Sequence, residues 1–193
     1  MRMGRGRLLL LLWAGLLPCA VQAGEGEQKF LYGRALKVGE LGWACFTRHY
    51  DQPHLDAHPR QNVTAMTVLA YRPDGEGYDE SIVNLEFGFR GVSDPVQLSG
   101  GCCPEPDGQG VLSCAIECDG GEFTLRRRGD RSVLLDITRD IEMCEDGDSL
   151  PGGGLGSDDR RFRLDRTGIE ACLTLIWDEE IRGKLIEAAR SAN

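Results

Sequence analysis

Two groups of residues in this 193-residue chain have the types and spacing to do chemistry. One is sulfur: Cys102, Cys103, Cys114 and Cys118 crowd around the turn-forming stretch PEPDGQG, with Cys45, Cys144 and Cys172 further off. The other is the full set of histidines, His49, His54 and His58, interleaved with Asp51 and Asp56. Thiols ligate zinc, act as nucleophiles or couple into disulfides, and spacing and compartment decide among these. Zinc is usually presented with C-x2-C knuckles, whereas this cluster has an adjacent pair, a C-x3-C and no histidine nearby. A redox-active C-x-x-C at a helix start is also missing. Structural staples are the expectation. The imidazoles and carboxylates could gather Zn2+ or Cu2+, or serve a hydrolase. With Pro53 and Pro59 expected to forbid a helix, H-x4-H-x3-H presents no common face, and a polar loop without bound metal is expected instead.

The compartment follows from the first residues. Arg2, Arg5 and Arg7 precede an apolar run from Leu8 to about Leu17, and Val21-Gln22-Ala23 ends on a small residue. That order is a secretory signal peptide, too short to span a bilayer, with cleavage after Ala23. Lipid anchoring at Cys19 is the rival, disfavoured by Pro18. The expected mature domain is 24–193, exported to a periplasm or the extracellular space and not embedded in a membrane. Losing three of 22 basic residues and none of 31 acidic ones, it carries a net charge of −12. Such a surface repels nucleic acid and anionic lipid.

Export turns the cysteine count into a pairing problem. Of eight cysteines, seven lie beyond residue 23, so one is left over as a free thiol or an intermolecular bridge. If the chain reverses about Gly108, Cys102 falls opposite Cys114 and Cys103 points to the other face. Cys103 is thus the expected free thiol, and a dimer through it the expected consequence. A second hairpin at Gly129-Asp130 brings Cys118 near Cys144, which leaves Cys45 and Cys172 to close the fold.

The elements that must hold these groups are mostly strands. In SIVNLEFGFRG, Val83, Leu85, Phe87 and Phe89 alternate with Asn84, Glu86, Gly88 and Arg90, the period of a half-buried strand. NVTAMTVLAYR, GEFTLRRRGDRSVLLDI, RRFRLDR and CLTLIW read likewise. The expected fold is all-β: an antiparallel meander of roughly eight to ten strands forming a barrel or sandwich, with one C-terminal amphipathic helix opening at Asp178. YDQPHLDAHPRQ and EDGDSLPGGGLGSDD read as irregular, the second as mobile. A meander ending in a helix resembles lipocalin-like barrels in architecture alone: ELGWACF sets Gly42 directly before Trp43, and no family motif covers the chain.

The remaining motifs carry little chemistry. Asp146, Asp148, Asp158 and Asp159 lack the D-x-D-x-D-G frame of a calcium loop and read as a solvated charge run. Arg128-Gly129-Asp130 matches an adhesion tripeptide, but Gly129-Asp130 is better explained as a hairpin tip. Asn62-Val63-Thr64 is a glycosylation sequon. There is no G-x-S-x-G elbow and no glycine-rich phosphate loop before a helix. The expected function is a non-enzymatic binding module for a small apolar ligand or a protein partner, without a cofactor. The alternative is a secreted hydrolase, inhibitor or weak metal binder acting through the histidine loop.

Overall fold

A computed structural model describes residues 25–75, 77, 80–105, 110–143 and 149–191. The expected leader, Cys19, the tip of the PEPDGQG turn, Cys144, Asp146 and Asp148 lie outside the described residues. Eight strands follow one another as β1 (Gly42–His49), β2 (Val63–Arg72), β3 (Ser81–Phe89), β4 (Val96–Pro104), β5 (Val111–Ile116), β6 (Glu122–Arg127), β7 (Ser132–Arg139) and β8 (Arg161–Thr167). Each pairs antiparallel with the next, and β8 returns to β1, giving a closed barrel.

Alternation explains both the strands and the closure. Residues such as Phe46, Phe87, Phe123, Phe162, Leu125 and Leu135 point inward and are almost fully buried in one cluster. An eight-stranded barrel has an interior just wide enough for side chains to fill. The centre is therefore a packed core, with Phe87 and Phe162 meeting edge to face at 6.4 Å between ring centroids. Strands β1 and β2 are buried on their outer side as well, where Cys45 and Leu69 join a second cluster.

That second cluster is made by the C-terminal segment. CLTLIW was expected to be a strand, but Ile169–Leu175 forms a 3-10 helix. Its buried residues are Ile169, Cys172 and Leu175. Their spacing of three matches the 3-10 period and places them on one face. With β8 already hydrogen-bonded to β1, the barrel has no edge for a ninth strand. Cys172 is bonded to Cys45 on β1, 127 residues earlier. Helix α3, numbered in chain order, spans Glu179–Ser191 and packs Leu185 and Ala189 onto the same cluster. The Asp178 carboxylate caps it, accepting from the backbone N–H groups of Glu180 and Ile181 at 2.8 and 3.0 Å.

Two further helices were not expected. Helix α1 (Glu25–Tyr32) precedes the barrel, and α2 (Gln52–Ala57) joins β1 to β2. Pro53 does not forbid α2: it sits in the first turn, where a missing N–H costs nothing, and the Asp51 side chain caps the helix. The glycine-rich stretch after Cys144 also packs where it is described, with Leu150 and Asp159 buried. Asp159 accepts backbone hydrogen bonds from Asn62, Val63 and Gly156, which ties this loop to the start of β2.

The register supports one bridge and corrects another reading. Cys102 pairs directly with Cys114 across β4 and β5, and the two are disulfide-bonded. Cys103, expected as the odd thiol, is disulfide-bonded, as is Cys118, and no described cysteine is free. Cys103 is therefore not the free thiol through which a dimer was expected. Across β6 and β7 the partners are Leu125 with Leu135 and Arg127 with Val133, one residue beyond the expected register. Gly129, at φ 75°, takes up the extra residue in the turn.

Replacing Cys45 and Cys172 together by alanine is expected to lower stability by about 2–5 kcal/mol. Amide exchange should accelerate selectively over residues 169–191 while β3 to β7 stay protected. An unchanged urea midpoint would show that the bridge does not clamp the C-terminal segment.

Candidate functional site

The inward-facing periodicity changes character at one end of the barrel. Along β6 the inward series runs Phe123, Leu125, Arg127; along β8 it runs Phe162, Leu164, Arg166. Ascending β7 it runs Ile137, Leu135, Val133, and the next position of that parity is Arg131 in the turn. Three neighbouring strands thus turn from hydrocarbon to guanidinium at the same level. There the mouth opens into a cleft of about 680 Å3, with Phe30 and Phe46 as its aromatic lining and Val111 at its rim beside Arg126. That lies within the range of about 300–1,000 Å3 usual for small-molecule sites.

Helix α1 forms one wall. Leu31 inserts into the barrel core and is almost fully buried. Arg166 donates to the carbonyls of Phe30 and Leu31 at 2.7 and 2.6 Å, satisfying acceptors left open at the end of the helix. The Tyr32 hydroxyl is hydrogen-bonded to Ser81 at 2.6 Å. The chain after α1 crosses so close to β1 that a Cβ at Gly42 would overlap Leu36 and press on the Tyr32 ring.

The electrostatics of the mouth are lopsided. Among the described residues its lining carries Lys29, Arg126, Arg127, Arg131 and Arg166 against one carboxylate, Asp130. Arg126 is paired with Asp136 at 3.1 Å and Arg127 with Asp130 at 2.5 Å. Arg166 instead stands across the strand pair from Phe46, its guanidinium 4.8 Å from the ring centroid. Burial foremost, and the neighbouring charge of Arg131 after it, lower the Arg166 pKa. No carboxylate pairs with Arg131 or Arg166 among the described residues.

The residues singled out from the sequence lie elsewhere. His54 and His58 are on or just after α2 and stack at 4.2 Å, with Tyr50 stacked on His54 at 4.6 Å. The His54 Nε2 meets Gln61 and the His58 Nδ1 meets the His54 carbonyl, so local hydrogen bonds use both rings. His49 stays exposed at the end of β1. Among the described residues no group of three or more His, Cys, Asp or Glu is arranged to hold a metal ion. Asp158 pairs with Arg60 and Asp159 is committed to backbone N–H groups. Asn62 of the sequon donates to the carbonyls of Gly152 and Gly154 at 2.9 and 2.7 Å. Of the Arg128-Gly129-Asp130 tripeptide, Gly129 and Asp130 reach the mouth as the exposed hairpin tip on its rim, with Asp130 held by Arg127.

Comparison with known proteins finds no family model, no curated protein and no solved structure that matches the chain.

The α1 attachment has a measurable pH signature. Desolvation raises the Tyr32 pKa to about 12, against the lowering effect of Ser81 and Arg72. Above pH 10 the unfolded phenol loses its proton first, the folded state holds more protons, and stability falls with rising pH. The expected loss is about 1.4 kcal/mol per pH unit from pH 10 toward 12. Tyr32→Phe should show a shallower decline over that interval in urea melts. Parallel declines for the two proteins would refute the buried phenol.

Proposed function

We propose that this chain is a non-enzymatic binding module that takes a small ligand in the barrel mouth, between α1 and the β6–β7 hairpin. The observation carrying this reading is the contrast between a filled interior and an open end. Aromatic and aliphatic side chains occupy the barrel centre, whereas the mouth keeps a cleft with an apolar floor and a polar rim. Ligand sites are typically such concave, mostly apolar places with a few oriented polar groups.

The enzymatic and metal alternatives draw less support. Their histidines are divided between an exposed strand end and a stacked pair engaged with the local backbone and Gln61. The protein-partner alternative would look for a contiguous apolar patch. The large exposed hydrophobics, Val38 and Trp177, are single residues, which are ordinary on a protein surface. The two described disulfides are compatible with the export expected from the leader. No helix among the described residues is long and apolar enough to cross a membrane.

The test is titration with the neutral fluorescent probe N-phenyl-1-naphthylamine. The folded protein is expected to bind it saturably with one site. Val111→Trp, which crowds the cleft from its rim, should weaken that binding without altering the circular dichroism. Saturable binding of unchanged affinity in the tryptophan variant, or no binding at all, would refute the mouth as the site.

A further inference from the structure

We infer that the ligand of the mouth is a small amphipathic anion, with a carboxylate, sulfate-like or phosphate-like head between Arg131 and Arg166 and an apolar body against Phe30 and Phe46. This rests on the mouth being the binding site and specifies what it takes.

Charge accounting supplies the first argument. Arginines on the outer face of β6 to β8 have carboxylates: Arg126 and Arg161 share Asp136, Arg139 has Glu122, and Arg163 has Asp165. Among the described residues Arg131 and Arg166 do not, although the chain as a whole carries a net charge of −9. In so acidic a protein, two guanidinium groups held together without a carboxylate are a local exception. They are also fixed as neighbours, because the Arg166 backbone N–H donates to the Arg131 carbonyl at 2.7 Å.

Donor geometry supplies the second. A guanidinium has five N–H donors in a planar fork that matches an oxyanion. Arg166 directs its Nη2 at two neutral backbone carbonyls, which leave its charge uncompensated. An anion between Arg131 and Arg166 would relieve their mutual repulsion and meet charge-assisted donors in a partly dry setting. The aromatic lining of Phe30 and Phe46 would exclude a fully hydrated inorganic ion in favour of a ligand with hydrocarbon attached. A membrane surface fits less well, since an anionic bilayer would meet a predominantly acidic protein around the mouth.

The experiment compares two probes with the same aromatic body, neutral N-phenyl-1-naphthylamine and anionic 8-anilinonaphthalene-1-sulfonate, on the whole folded protein. The sulfonate is expected to bind more tightly by about ten- to a hundredfold, the worth of a charge-assisted hydrogen bond. Added sodium chloride should weaken the sulfonate alone. Arg131→Gln should weaken the sulfonate far more than the neutral probe and so remove the preference, and Arg131→Glu should reverse it. Arg131 is exposed, and its side chain does not hold α1, so both variants should fold. Equal affinities for the two probes in the wild type would overturn the anion while leaving the mouth as the site. Failure of both probes would instead remove the mouth itself. Sedimentation with phosphatidylglycerol vesicles, lost in Arg131→Gln, would assign the cations to a membrane and overturn the small ligand.

Discussion

The seam between β1 and β8 is the constraint on which the rest of the molecule depends. β1 pairs with β2 over eight residues but with β8 over only Cys45, Phe46 and Thr47, opposite Thr167, Arg166 and Asp165. So short a ladder is a weak closure, and an open meander would leave two long edges free to pair with other chains. The structure reinforces the seam from both sides. On the outside, Cys45 is bonded to Cys172, five positions beyond the end of β8, and the C-terminal segment lies across β1 and β2. On the inside, Arg166 stacks on Phe46 and reaches the last carbonyls of α1.

The same seam residues therefore join the fold to the proposed site. Phe46 is at once part of the core and part of the floor of the mouth. Arg166 closes the strand pair, anchors the helix that covers the end and contributes charge to the cleft. The two ends of the barrel are finished differently. At one, Asp159 is spent on backbone N–H groups from β2 and its own loop, a self-satisfied closure. At the other, two guanidinium groups lack carboxylates among the described residues, beside an aromatic lining. A barrel whose centre is filled has no interior cavity for a ligand, and unmatched charge beside a cleft is where an incoming group has most to gain.

The cationic mouth was legible in principle but not recognised from the sequence. The series Phe123, Leu125, Arg127 and Phe162, Leu164, Arg166 are visible as strings, and so is Arg131 ahead of Val133, Leu135 and Ile137. Each looks like an ordinary strand ending in solvent. Their meaning depends on all three meeting at the same end, facing inward, which requires strand order and register. The one-residue shift at the β6–β7 turn shows how fragile that inference is, because a slip of one exchanges the two faces of a strand. The histidines misled in the opposite sense. Their clustering in sequence was real, but α2 turned His54 and His58 into a stacked pair and left His49 behind on β1.

What the sequence determined by itself were the properties that depend on local period and on single pairs. Alternating strands, the helix capped by Asp178 and the bridge from Cys102 to Cys114 follow from side-chain alternation, capping chemistry and a short turn, all of which act over a few residues. The tertiary structure decided the rest. Closure excluded a further strand and made Ile169–Leu175 a 3-10 helix against β1. Burial of Leu31 drew α1 over the barrel end. The cleft exists because residues far apart in the chain, Phe30, Phe46, Arg131 and Arg166, were brought together only when the last strand found the first. Local propensity cannot report a contact whose partners are separated by most of the chain, and in this barrel the candidate site is made of such contacts.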